Sequence, residues 1–347
     1  MDAIRNTVSA RSPSSPPESR PDLGSYRDVP DFIYGITREI WEDRGVGGKL
    51  EKYYAPDILL RAPTGLTVGN LGVVSQTLQT LHQFPDRQLV GEDVIWTLAP
   101  EDSFLSSHRL ISVMTHTGDG ILGPAGGRVV RSRILADCWV QNQVVREEWL
   151  VRDQASFARC LGRDARDLAL EMMQREIRAG EPVSFYLPAH DRPGHYRPTV
   201  ADDEAVHACI AGLHRIWHVK EVAAIRNFYF HGAALHAPGG DVLYGHVDID
   251  RFVIGYLASF PDARFEVHSA IINRDAELPA RIALRWSLQG RHSGFGHFGE
   301  PTGADVFVMG MSHLYLTDGR IRMEWLLTDE VSIWKQIHAH VASRAGG

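Results

Sequence analysis

One pattern occurs twice in this chain, 176 residues apart, and that duplication constrains the fold more than any other feature. Trp41 recurs as Trp217, Phe84-Pro85-Asp86 as Phe260-Pro261-Asp262, His116 as His292, Trp149 as Trp325 and Asp153 as Asp329. Residues 105–153 set against 281–329 without a gap share 12 identities in 49 positions. Upstream, Tyr53-Tyr54 matches Phe228-Tyr229 and Arg61-Ala62-Pro63 matches His236-Ala237-Pro238 at an offset of 175, so one residue is gained or lost near position 65. A period this long marks a duplicated domain, because solenoid units run to roughly 20–50 residues.

Length and composition agree: 347 residues, 44% hydrophobic and 23% charged, supply two cores of ordinary size. The net charge of −7 is spread without a block of one sign, which argues against nucleic acid or an anionic membrane as partner. No apolar run reaches the roughly 18 residues that span a bilayer, and the N-terminus shows no apolar signal core. Cys138, Cys160 and Cys209 are odd in number and lack metal-ligand spacing. They read as thiols of a reducing compartment, and the expected location is cytoplasmic.

Four segments follow. Residues 1–27, with Ser-Pro-Ser-Ser-Pro-Pro at 12–17, are expected to form a disordered tail. Residues 28–161 form a first domain whose opening helix should be capped by Asp31. Residues 162–199 read as a linker, a helix over 164–178 followed by Pro182, Pro188, Pro193 and Pro198, packed on a neighbour. Residues 200–347 form the second domain. Each copy places helices first, including 70–83 and 246–259, and four strands after them, which is the α+β order. Asp318-Gly319 is a strong hairpin turn, and Asn142-Gln143 is its weaker counterpart. The Gly-x-Gly-x-x-Gly at 118–123 and 294–299 has dinucleotide-fingerprint spacing, but a strand follows where a helix is required, so these glycines shape a loop.

Alternation assigns faces to the strands. Ile282, Leu284, Trp286 and Leu288 form one apolar set, matched by Ser106, His108, Leu110 and Ser112, with Met114 and His116 continuing the series. Leu135, Asp137 and Trp139 share a face, as do their counterparts Met311, His313 and Tyr315. Val145, Trp149 and Val151 share another, which sends Glu148 and Glu324 towards solvent. On this reading His108, Ser112 and Asp137 meet on the concave surface of the first copy. A carboxylate in an apolar pocket is costly without a partner or a raised pKa, so Asp137 is the leading catalytic candidate. Leu135, Trp139 and Trp149 would form its hydrophobic wall, Tyr54 would enter from the short helix, and His108 or His116 would orient the base. In the second copy His313, Tyr315, His292 and Trp286 would line a more apolar, degenerate pocket. Arg109 and Arg285 fall on the opposite face and suit a surface or an interface. A metal site would join His108, His116 and Asp137, but the second copy does not repeat the set, and no metal is expected.

The stretch Gln289 to Gly303, the following hairpin and Arg322-Met323-Glu324-Trp325 carry a likeness, as do Thr115 to Gly120, Gly123, Gly127 and Arg146-Glu147-Glu148-Trp149 in the first copy. The chain resembles the SnoaL-like polyketide cyclases of the nuclear-transport-factor-two-like superfamily, in tandem. The resemblance implies two cone-shaped α+β domains, each a curved, mostly antiparallel sheet wrapped around N-terminal helices. It implies one small-molecule pocket per cone, and no metal or organic cofactor. It implies an aspartate deep in the cavity acting as general acid/base, a role that would fall to Asp137. The expected chemistry is aldol-type cyclisation, isomerisation or elimination on a small carbonyl compound. Water activation as in related epoxide hydrolases and a non-catalytic binding module are the alternatives, since one fold hosts many functions. Such sheets dimerise, so the two halves are expected to form an internal pseudo-dimer, with room for a homo-oligomer.

Overall fold

A computed structural model describes residues 21–345 and contains two six-stranded sheets, one from each half. The first half begins with α1 (Val29–Thr37), which starts at Asp28 and not at the expected Asp31. The Asp28 carboxylate accepts the Asp31 backbone N–H at 2.8 Å, satisfying a donor the helix leaves open. After a π-helical turn at Arg38–Glu42 come α2 (Gly48–Tyr53), β1 (Tyr54–Ala62), β2 (Gly65–Val68) and α3 (Asn70–Gln83). The meander β3 (Gln88–Ala99), β4 (Ser103–Thr115), β5 (Val129–Gln141) and β6 (Val144–Arg152) completes the sheet in the order β2-β1-β6-β5-β4-β3. β1 runs parallel to β6 and the other neighbours are antiparallel.

Two helices, α4 (Gln154–Cys160) and α5 (Ala165–Ala179), lead into an extended linker. The second half then repeats the plan. It comprises α6 (Glu204–Leu213), a π-helical turn at His214–His218, α7 (Ile225–Phe228), β7 (Tyr229–His236), β8 (Val242–Tyr244) and α8 (Gly245–Ser259). It closes with β9 (Arg264–Asn273), β10 (Arg281–Arg291), β11 (Asp305–Thr317), β12 (Arg320–Thr328) and α9 (Glu330–Ala345). Its sheet order is β8-β7-β12-β11-β10-β9. Local chemistry repeats as well. Asn142 and Gln143 take φ of 50° and 64°, and Asp318 and Gly319 take 50° and 72°, so both hairpins turn in the left-handed region that matches strand twist. Gly118 and Gly294 each lie so close to the end of the preceding helix that a Cβ would stand 2.0 Å from the His82 oxygen or 2.1 Å from the Ala258 oxygen.

In each half the helices cover one face of the sheet. The outer faces of the two sheets meet each other. Arg285 lies over the Trp149 ring at 3.5 Å, and Arg109 lies over the Trp325 ring at 3.6 Å, the same contact with partners exchanged. Asp137 is 3.5 Å from Arg285, and its counterpart His313 is 3.2 Å from Arg109 and 2.9 Å from Ser107. Leu135, Val151, Met309, Met311 and Leu327 pack between the sheets with Tyr186 of the linker. The linker is pinned by Arg61, which reaches Glu147 at 2.8 Å and Asp191 at 2.7 Å. Residues 1–20 of the expected tail lie outside the described residues; within 21–27, Tyr26 donates to Glu39 at 2.8 Å and packs on the first core. Among the described residues no helix is long and apolar enough to cross a membrane.

The two cones differ inside. In the second, Trp286 stacks on Trp217 with ring centroids 6.5 Å apart and leans on Phe265. Its ring lies where a Cβ on Gly310 would stand only 2.3 Å away, so that cone is solid. The first half has Leu110 and Ile134 at these positions, and a cavity remains. Trp286→Ala is expected to cost about 3–5 kcal/mol in urea unfolding of the full chain. A loss below about 1 kcal/mol would contradict this filling.

Candidate functional site

The first half encloses a cavity of about 100 Å³ between α1, α3 and the concave face of the sheet. Its walls include Ile33, Ile36, Leu60, Val73, Leu110, Ile134 and Leu150. Into this apolar lining project Tyr54, Arg87, His108, Cys138, Glu148 and Arg152.

Strand register decides which side chains enter. His108 on β4 stands opposite Ala136 on β5, so β5 presents Ile134, Ala136 and Cys138 to the cavity. β6 then pairs Cys138 with Glu148, Ala136 with Leu150 and Ile134 with Arg152, which turns Glu148 and Arg152 inward. Leu135, Asp137, Trp139 and Trp149 therefore occupy the outer face, and their expected place in the pocket is corrected. Asp137 stands opposite Ser107, buried between the sheets beside Arg285. Burial raises its pKa against the pull of Arg285 and Ser107, and it does not line the cavity of the first half. Trp139 stacks with His195 of the linker. His313 and Tyr315 also belong to the contact between halves, Tyr315 donating to Asp93 at 3.0 Å.

Of the other candidates, His108 and Tyr54 line the cavity. Ser112 lies in an adjoining cleft and accepts the Nε–H of Arg87 at 3.1 Å. His116 stacks on Phe84 beside the glycine loop, as His292 sits against Phe260, so this pair is shared architecture outside the cone. Trp286 is core filling. The trio His108, His116 and Asp137 points to three separate places. Among the described residues no three His, Cys, Asp or Glu side chains converge as metal ligands.

Glu148, expected to face solvent, is the group that this reading of faces missed. Its counterpart Glu324 is also buried, and there the carboxylate is satisfied: Tyr229 donates to it, and Ser312 donates at 2.9 Å. In the first half Ala136 stands where Ser312 does, and Glu148 Oε2 has no hydrogen-bond partner. Burial lifts the Glu148 pKa to about 7, while the Tyr54 hydroxyl and the Arg152 charge pull the other way. Burial also pushes His108 down to about 4, so its ring is neutral at pH 7, and its Nδ1 is unpaired. The recurrence of Tyr54/Tyr229 and Glu148/Glu324 was the available signal.

The cone opens into a second cleft of about 390 Å³, sharing Gln76, Thr80, Arg87, Ile134 and Arg152 with the first. Met172 and Glu176 of α5 line it, together with Lys335 of α9. Lys335 is buried and holds Glu176 at 2.6 Å and Ser184 at 3.1 Å.

Two mixed six-stranded sheets, each with its own helices, define a tandem of α+β domains. Residues 208–337 match the family model described as SnoaL-like polyketide cyclase. No curated protein matches the chain. Among solved structures it is similar to IdmH from Streptomyces antibioticus, proposed to be a polyketide cyclase, at 19% identity and TM-score 0.32, over 37% of this chain and 97% of that one. A protein from Acidithiobacillus ferrooxidans proposed to be a polyketide cyclase matches at 18% identity and TM-score 0.35, over 41% of this chain and 99% of that one. AclR from Streptomyces galilaeus, proposed to be a hydroxylase, matches at 20% identity and TM-score 0.33, over 39% and 96%.

The Glu148 shift has a signed consequence. The folded state keeps this proton to about pH 7, whereas the unfolded chain releases it near the ordinary value of 4.5. The folded state therefore binds the extra proton between those values, and stability falls as pH rises through that window, levelling off above it. Relative to wild type, Glu148→Gln should gain up to about 3 kcal/mol between pH 4.5 and pH 8. Urea unfolding of both proteins across that range checks this, and parallel stability curves would contradict it.

Proposed function

We propose that the first domain is an enzyme that moves protons on a small carbonyl compound, with Glu148 as its general acid/base. The observation that carries this reading is a carboxylate inside an apolar cavity with one oxygen unpaired and a pKa near neutrality. A group with a pKa close to the working pH both takes and returns protons efficiently. The resemblance to SnoaL-like cyclases supports the carbonyl substrate, with glutamate on β6 in the role expected of an aspartate on β5.

In the proposed step, ionised Glu148 removes a proton from the carbon beside a carbonyl. The C–H bond breaks, and its electron pair moves into the enolate. Neutral His108, which lines the same cavity, would donate a hydrogen bond to the developing oxyanion. The enolate then attacks a second carbonyl within the same molecule, or is reprotonated at another carbon, and Glu148 returns its proton. The free Oε2 favours this over a non-catalytic binding module, which would leave Glu148 as fully bonded as Glu324. In the same reading the second domain supports the first as the other half of an internal pseudo-dimer.

The test is deuterium wash-in from D2O beside the carbonyl of a panel of cyclic and aryl ketones, followed by NMR. Glu148→Gln is expected to lower the exchange rate by about 100-fold or more, with a cooperative fold retained. Asp137→Asn is expected to stay within a few-fold of wild type. Undiminished exchange in Glu148→Gln removes that residue from the mechanism, and a 100-fold loss in Asp137→Asn returns the chemistry to the outer face.

A further inference from the structure

We propose that the ligand of the first cone is a carboxylate, seated by Arg87 and Arg152 at the waist between the inner cavity and the outer cleft. The inference rests on the reading that this cavity is the working site, and it does not require Glu148 to be the base. Both arginines border both spaces, together with Gln76, Thr80 and Ile134.

Arg87 is 9% exposed, and among the described residues its side chain makes one hydrogen bond, from Nε to Ser112. Burial pushes its pKa down to about 9, and the charges that face it, Arg152 and Arg44, are both of its own sign and push the same way. Arg44 is turned away to the backbone oxygens of Trp41, Pro85 and Arg87. Arg152 faces Glu148, Tyr54 and Asp329. Burial raises both of those carboxyls to about 7, so neither is a firm counter-charge at neutral pH.

A buried cation without a counter-ion is costly, and an arginine keeps its proton even so. A ligand carboxylate relieves that cost through the planar guanidinium fork. The duplication supplies an independent argument. The positions of Arg87 and Arg152 are Ala263 and Thr328 in the second half, where Trp286 fills the cone. The arginines accompany the cavity and are missing where it is closed. With Glu148 and His108 on the inner side and Phe84, Met114, Phe157 and Met172 on the outer, the geometry suits a keto acid with an apolar extension.

Calorimetric titration of the full chain at pH 6 with 2-naphthoate, its neutral analogue 2-naphthamide and 2-naphthyl phosphate tests this. Wild type should bind 2-naphthoate at least tenfold tighter than the amide and tighter than the phosphate ester. Arg87→Gln and Arg152→Gln should each weaken naphthoate at least tenfold and leave the amide unchanged, and Arg87→Lys should keep part of the affinity. Equal affinity for acid and amide, no binding of the acid, or wild-type affinity for it in both glutamine variants overturns the proposal; should those variants fail to fold, the wild-type comparison decides. Tighter binding of the phosphate ester overturns the choice of carboxylate. Glu148→Gln separates the two readings, because it should abolish deuterium exchange while still binding 2-naphthoate.

Discussion

The contact between the two outer faces, where an arginine from each half lies flat on a tryptophan of the other, governs the rest of the molecule. A desolvated guanidinium on an indole ring contributes about 2 kcal/mol, and here the contact is made twice. Once Trp149 and Trp325 are committed to it, the residues on the same face of β5 and β11 go with them. Leu135, Asp137 and Trp139 must lie between the halves, and the concave face is left to Ile134, Ala136, Cys138, Glu148 and Arg152. The cavity's polar groups are thus set by what the sheet presents on its back.

Within that common frame the halves diverge by a few exchanges. Ser312 against Ala136 decides whether the buried glutamate is satisfied or has a free oxygen. Trp286 against Leu110 decides whether the cone is solid or open. Thr328 and Ala263 against Arg152 and Arg87 decide whether it carries charge. Each exchange points the same way, towards a packed second cone and a first cone that holds polar groups ready for something else.

The duplication, the order of elements and the hairpin turns were legible in the sequence because they depend on local spacing and on residues that tolerate positive φ. The faces of β5 and β6 were not. Alternation reports a face only when the other face is wet, and here Asp137 and Cys138, adjacent in β5, are both 3% exposed. A register shift between Trp139 and Val140 adds to the difficulty. Val140 pairs with Val145 but Trp139 with Glu147, so Arg146 is skipped and the alternation of β6 reverses there. Val145 consequently lies in the first core while Trp149 lies between the halves, although the spacing placed them together. The matching irregularity in β12, between the partners of Tyr315 and Leu316, brings Glu324 inward as well. His108 was legible because β4 runs without such an interruption against β5.

Lys335 and the α5 helix give the outer cleft a roof drawn from both sides of the duplication. In a dimer of separate chains such a vestibule would come apart on dilution, and its shape would depend on protein concentration. Here the covalent connection supplies a fixed effective concentration of one half for the other. The entrance is therefore a property of a single polypeptide, and the half with the solid cone could not be trimmed away without dismantling the doorway to its neighbour.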